Sequence, residues 1–99
     1  MYVIRDIMHC KPGKVKSMVQ NFKEMDAAMK GAGMKNKTRI LTDVSGTRYW
    51  TAIIETETES IEQHQADINK LMADPNMQKK FAPYHELVDS GYREIFKME

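Results

Sequence analysis

Residues 38–56, TRILTDVSGTRYWTAIIET, decide the fold. Residues 38–44 and 48–56 are rich in β-branched and aromatic side chains, and Ser45-Gly46-Thr47 between them is a turn signal. They read as two antiparallel strands of one hairpin. Working outward, each flank repeats one order: a helix next to the hairpin, then a strand. Upstream, Val15, Met18, Val19, Phe22, Met25 and Met29 form one stripe of a helix over residues 15–29, and Tyr2–Cys10 is the strand before it. Downstream, residues 60–88 are helical and residues 92–98 close the chain as a strand. The 99 residues therefore make a single domain, residues 1–99, in the order βαββαβ.

The punctuation agrees with that order. Lys11-Pro12-Gly13 ends the first strand, because Pro has no N–H for the ladder and Gly admits the turn. Gly31 and Gly33 stop the first helix. Ser60 followed by Gln63 is a capping-box start, and Glu59 and Glu62 suit the positive end of a helix dipole. Ile61, Ile68, Leu71 and Met72 make the apolar stripe that follows. Asp74-Pro75 predicts a break and restart, with Asp as N-cap and Pro at the first helical position. Met77, Phe81, Tyr84, Leu87 and Val88 continue the apolar side, with a kink or second break at Pro83.

Two βαβ halves of this kind give an α+β, ferredoxin-like domain: a four-stranded antiparallel sheet with its helices on one face. The first and third strands are expected at the centre, with the fourth beside the first and the second beside the third. Strand alternation then sorts the side chains. Tyr2, Ile4, Asp6, Met8, Cys10, Ile40, Thr42, Trp50, Ala52, Ile54, Tyr92, Glu94 and Phe96 form the more apolar set, expected beneath the helices. Val3, Arg5, Ile7, His9, Arg39, Leu41, Asp43, Ile53, Glu55, Arg93 and Ile95 form the other. That face mixes charge with more large aliphatics than a solvated sheet carries. A homodimer, sheet against sheet, accounts for both, with Arg5, Arg39 and Arg93 meeting Asp43 and Glu55 across a two-fold axis. The alternative is a monomer exposing a mixed face.

Composition excludes several classes. A net charge of +1 with scattered lysines is not the footprint of a nucleic-acid binder. No apolar run approaches the roughly 20 residues of a membrane span. The N-terminus lacks a signal-peptide pattern, and the single cysteine, Cys10, forms no internal disulfide, so a cytoplasmic location is expected. Of nine methionines, Met18, Met25, Met29 and Met72 sit at helical core spacing and read as packing.

With this order, and with Cys10-Lys11-Pro12-Gly13-Lys14 leading the first strand into an amphipathic helix, the chain resembles the dimeric α/β-barrel superfamily. The K-P-G-K stretch, the Ser60-Ile61-Glu62 helix start and the Asp74-Pro75 restart resemble its antibiotic-biosynthesis-monooxygenase branch. The resemblance implies two ferredoxin-like subunits pairing their sheets into a barrel. It spans chemistries from cofactor-free quinol-forming monooxygenases to haem degradation, dehydratase-like and isomerase-like members.

Two carboxylates, Asp6 and Glu94, fall on the face assigned to the helices, where a charge needs a partner or a wet pocket. Tyr84-His85 lies on the last helical stretch above them, and Trp50 and Thr42 share the face. Together they outline a small apolar cleft with a few convergent polar groups. His85 is the candidate acid or base, with Asp6 or Glu94 orienting it, and Trp50, Tyr84 and Thr42 are candidate ligand contacts. The function expected is handling of a small apolar or aromatic molecule, in its most specific version cofactor-independent monooxygenase-like chemistry. The alternative is a non-catalytic ligand-binding or dimerisation module. Haem-degrading relatives use a first-strand amide, a third-strand Trp and a last-helix His. Here the first role falls to Asp6, a carboxylate, and Trp50 comes early on its strand, so neither haem nor another cofactor is expected. His9, His64 and His85 lack metal-pair spacing, and no metal is expected. His64 reads as a partly exposed helix residue, His9 as a residue of the dimer face. The lone Cys10 reads as packing, and Glu55, Glu57 and Glu59 as a solvated strand end.

Overall fold

A computed structural model describes residues 1–99. Its elements are β1 (Tyr2–Cys10), α1 (Val15–Gly31), β2 (Lys37–Thr42), β3 (Thr51–Thr58), α2 (Ile61–Met72), α3 (Pro75–Phe81), a 3-10 turn (Ala82–Glu86) and β4 (Val88–Lys97). The breaks fall where the local chemistry puts them. Ser60 Oγ accepts from the Gln63 amide at 3.1 Å and starts α2. The Gln63 side chain bonds Asp67 instead of closing the box. Asp74 Oδ1 caps α3 at the Asn76 amide, with Pro75 at the first helical position, and Gln78 reaches back to the Met72 carbonyl at 2.7 Å. Pro83 falls in the 3-10 turn, where the longer helix expected over residues 60–88 has ended.

All strands pair antiparallel in the order β2-β3-β1-β4. The helices lie on one side, with α1 over β2 and β3 and the 3-10 turn against β4. Between the layers Cys10, Met18, Phe22, Ala52 and Ile54 are buried, ringed by Met8, Val15, Ile40, Tyr84, Leu87 and Val88. These are the positions that the helical stripe of α1 and the alternation of β1 to β3 assign to the core.

The last strand departs from the expected parity. β4 begins at Val88, and its register against β1 shifts: His9 lies opposite Ser90 and Cys10 opposite Val88, so Asp89 is an extra residue. A bulge of this kind reverses which alternate residues face which side. Val88 packs into the core. Tyr92, Glu94 and Phe96 then stand opposite Ile7, Arg5 and Val3 on the open face. Gly91, Arg93 and Ile95 stand opposite Met8, Asp6 and Ile4, on the face that carries the helices. Glu94 and Tyr92 thus leave the helix-covered set and Arg93 joins it. Apolar alternation misplaced the strand because its aromatic residues lie on the face without helices, Tyr92 at 52% and Phe96 at 44% exposure.

The open face neutralises its own charge. Arg5 Nε and Nη2 reach Glu55 Oε1 at 2.8 and 2.7 Å, and Arg39 Nη2 reaches Oε2 at 2.8 Å. Charges expected to meet across a two-fold axis therefore pair within one chain, and Glu55 is buried although no helix covers it.

Candidate functional site

Between sheet and helices lies a cleft of ≈ 220 Å³. β1 contributes Asp6 and Met8 to it, α1 contributes Met18, Asn21, Phe22, Met25 and Met29, and β3 contributes Ile54 and Thr56. His64 and Ile68 come from α2, Tyr84 from the 3-10 turn and Arg93 from β4. Its walls are mostly methionine, aliphatic and aromatic groups, with a few polar groups converging, the make-up of a small-molecule pocket. Of the methionines read as core packing, Met18, Met25 and Met29 line the cleft and give it a soft, deformable wall.

His64 is the histidine of this cleft. It is 8% exposed, and its Nδ1 is buried without a hydrogen-bond partner. Burial pushes the imidazole below the usual histidine range, Arg93 adds to that, and Asp6 and Asp67 oppose it. The ring is therefore neutral at pH 7, with one donor and one acceptor nitrogen. The apolar stripe of α2 should have revealed it: His64 falls three residues after Ile61 and four before Ile68, on the same side of the helix.

Asp6 faces the cleft as expected, but it is not a free carboxylate. Arg93 Nε bonds Asp6 Oδ1 at 2.6 Å and Nη2 bonds Oδ2 at 3.2 Å, a bidentate pair between adjacent strands. That bond, more than the opposing effect of burial, raises the Arg93 pKa further. Asp6 remains one-quarter exposed and Arg93 about half, so the pair stands where the cleft meets water.

The other sequence candidates are dispersed. Tyr84 lines the cleft, while His85 is exposed and stacks on Tyr84 with ring centroids 4.0 Å apart. The 3-10 turn changes the angular step between neighbours, so a residue expected to face inward turns out. Trp50 precedes β3 instead of lying on it. It takes φ 60°, a strained conformation for a non-glycine residue, and its carbonyl accepts from the Cys10 amide at 2.8 Å. Its side chain shares a shallow groove with Thr42, Val15, Asp43 and Tyr49, away from Asp6. Glu94 lines a broad groove of ≈ 490 Å³ on the open face, with Arg5, Ile7, His9, Arg48 and Tyr92 among its neighbours. Asp6 and Tyr84 are thus brought to the cleft; Glu94, His85, Trp50 and Thr42 lie outside it.

The trio that haem chemistry would need does not assemble, since Asp6 is tied to Arg93 and Trp50 and His85 lie outside the cleft. No three His, Cys, Asp or Glu side chains converge in a metal-holding group. The Cys10 thiol is buried, and burial, then Asp43 and Asp89, push its pKa up, which suppresses the reactive thiolate. No helix is long and apolar enough to cross a membrane.

No family model matches this chain, and no curated protein matches it. Solved structures do. A NIPSNAP domain protein from Burkholderia xenovorans superposes with TM-score 0.81 at 16% identity, over 100% of this chain and 95% of that one. A NIPSNAP family protein of unknown function from Agrobacterium tumefaciens gives 0.81 at 14% identity, over 99% and 87%. A protein from Chloroflexus aurantiacus, assigned provisionally as an antibiotic biosynthesis monooxygenase, gives 0.66 at 18% identity, over 99% and 94%. The ferredoxin-like fold is shared with both groups. At these identities the likeness is one of fold, and the chemistry rests on this chain's own residues.

Proposed function

We propose that the chain binds a small, largely apolar molecule in the cleft between the sheet and the helices, with His64 as its main polar contact. The observation that carries this is His64, which lines a cavity with methionine and aromatic walls while its buried Nδ1 has no hydrogen-bond partner. An unsatisfied buried polar atom costs about 1–3 kcal/mol. A ligand hydroxyl reaching that nitrogen through a small shift of the ring would remove the cost. The neutral imidazole also suits removal of a proton from a weakly acidic hydroxyl.

The finer reading is cofactor-independent, monooxygenase-like chemistry on a phenol-type molecule, with His64 rather than His85 as the base. Its support is that base together with the fold shared with the Chloroflexus protein. Thermal denaturation with a panel of hydroxylated aromatic fragments tests the binding, because a ligand of the folded state raises the Tm by mass action. Fragments that stabilise the wild type should lose most of the shift in His64→Phe and keep it in His85→Ala. Equal shifts in His64→Phe would remove His64 from the site. Oxygen uptake on mixing with the same fragments tests the enzymatic version.

A second reading is a non-catalytic ligand-binding or dimerisation module, favoured by the open face. Leu41, Tyr92 and Phe96 are each 42–52% exposed there, around buried Ile7. Pairing of two copies through this face would cover them. Both readings permit a dimer, and they differ in whether chemistry takes place in the cleft.

A further inference from the structure

We propose that the molecule held in this cleft carries a carboxylate, bound by the outer edge of the Arg93 guanidinium, on an apolar body the size of one substituted ring. The inference rests on the cleft being a ligand site and adds the class of ligand. Arg93 is the only cationic side chain lining the cleft. Of its five N–H donors, Nε and one from Nη2 are spent on Asp6. Nη1 meets Gln65 Oε1 only at 3.4 Å, a long bond that a better acceptor displaces. One donor on Nη1 and one on Nη2 therefore remain side by side, the fork that matches the two oxygens of a carboxylate.

Asp6 fixes the plane of the guanidinium before any ligand arrives, so little side-chain freedom is lost on binding. The position of Arg93, about half exposed, also leaves the incoming anion in contact with water, which limits its desolvation. Deeper in the cleft the partners change character. Met8, Met25, Met29, Phe22, Ile54 and Ile68 offer apolar and thioether surface suited to a ring. An engineered apolar cavity of about 150 Å³ admits benzene, so ≈ 220 Å³ is room for one ring with substituents. A ring hydroxyl would meet His64.

The test uses 4-hydroxybenzoate and its neutral isostere 4-hydroxybenzamide, titrated into the wild-type protein and followed by NMR at the Met25 and Met29 methyls and the His64 ring. The acid should bind at least tenfold more tightly than the amide. Arg93→Gln should bring the acid down to the amide's affinity, with Arg93→Lys between. Equal affinity of acid and amide, with shifts at those methyls, overturns the carboxylate and leaves the cleft standing as an apolar site. Absence of shifts at the cleft from either compound overturns the carboxylate and the proposed function together. The isostere pair decides in the wild type even where a variant fails to fold.

Discussion

Substituting Gly91 by Ala tests the register on which the cleft depends. Gly91 lies opposite Met8 on the helix-covered face. A methyl group there would sit 2.7 Å from Met8 Sδ and 3.1 Å from the Ile7 carbonyl oxygen. The sulfur ends a flexible side chain and can swing toward the cleft. The carbonyl belongs to β1, in the middle of the sheet, and yields much less. Overpacking of this kind costs about 1–3 kcal/mol. Removing a glycine from the unfolded chain offsets about 0.4–1 kcal/mol. The net expectation is a loss of about 1 kcal/mol, a drop of roughly 0.5–1 M in the urea midpoint at an unchanged m-value of about 1–2 kcal/mol/M. With the opposite parity the same methyl would project from the open face, clear of Met8, and only the gain would remain. The two registers thus predict opposite signs. Adding Met8→Ala should rescue part of the loss, so that the double variant is less destabilised than the sum of the singles. A Gly91→Ala protein as stable as the wild type, or more so, would refute the bulge at Asp89 and with it the place of Arg93 beside Asp6.

Two further expectations concern the histidines and the open face. His64 and His9 both have pKa values lowered by burial, His9 also by Arg48. The unfolded chain then binds more protons than the folded one below its histidine pKa of about 6.5. The contribution is present in full above that pH and is lost as pH falls through the folded values. Urea midpoints at pH 7.5 and 5.5 should therefore differ, with the lower pH less stable and the difference reduced in His64→Gln; equal midpoints would contradict the burial of both rings. Light scattering at micromolar concentration should give twice the chain mass of 11.5 kDa, falling to the chain mass in a Tyr92→Glu, Phe96→Glu variant. A wild-type protein already at the chain mass refutes sheet-face pairing.

The fold was legible because its signals are local and redundant. The β2–β3 pairing, the stripe of α1, the Ser60 and Asp74 caps and the alternation of β1 each point to the same arrangement and reappear in the structure. The three-residue turn expected at Ser45-Gly46-Thr47 is instead a longer connection over residues 43–50, which takes Trp50 off its strand. The site was half legible for two reasons. The facing of the last strand, expected over residues 92–98, rested on its apolar alternation, and the register beyond the extra residue at Asp89 puts those apolar residues on the open face. Nothing in Val88-Asp89-Ser90-Gly91 announces the bulge, and the aromatic residues of β4 favoured the wrong answer. Glu94 was therefore placed beside Asp6, where Arg93 stands. His85 was preferred to His64 because the 3-10 geometry after Pro83 shifts the helical periodicity used to place it.

The same reversal changes what can hold two copies together. Had Arg93 remained on the open face, that face would carry three arginines in search of acids, and ion pairs across the axis would be the natural bond. Instead Arg93 is taken up by Asp6 on the other side, and Arg5 and Arg39 are both satisfied by Glu55 within the chain. The apolar side chains that the open face leaves exposed are Leu41, Tyr92 and Phe96, beside the exposed parts of Arg39 and Lys37 and with the Arg5 guanidinium laid 5.1 Å from the Phe96 ring centroid. Association through it would draw on burial of that apolar surface, which salt does not screen, with the internal ion pairs setting register more than strength. The helix-covered face has the complementary economy: one acid, one base and a guanidinium edge left over, in a space large enough for a ring. With Arg5 and Arg39 both paired to Glu55, a partner on the open face would be held mainly through apolar contact, and a ligand on the other face would meet the Arg93 edge and His64 as its polar contacts.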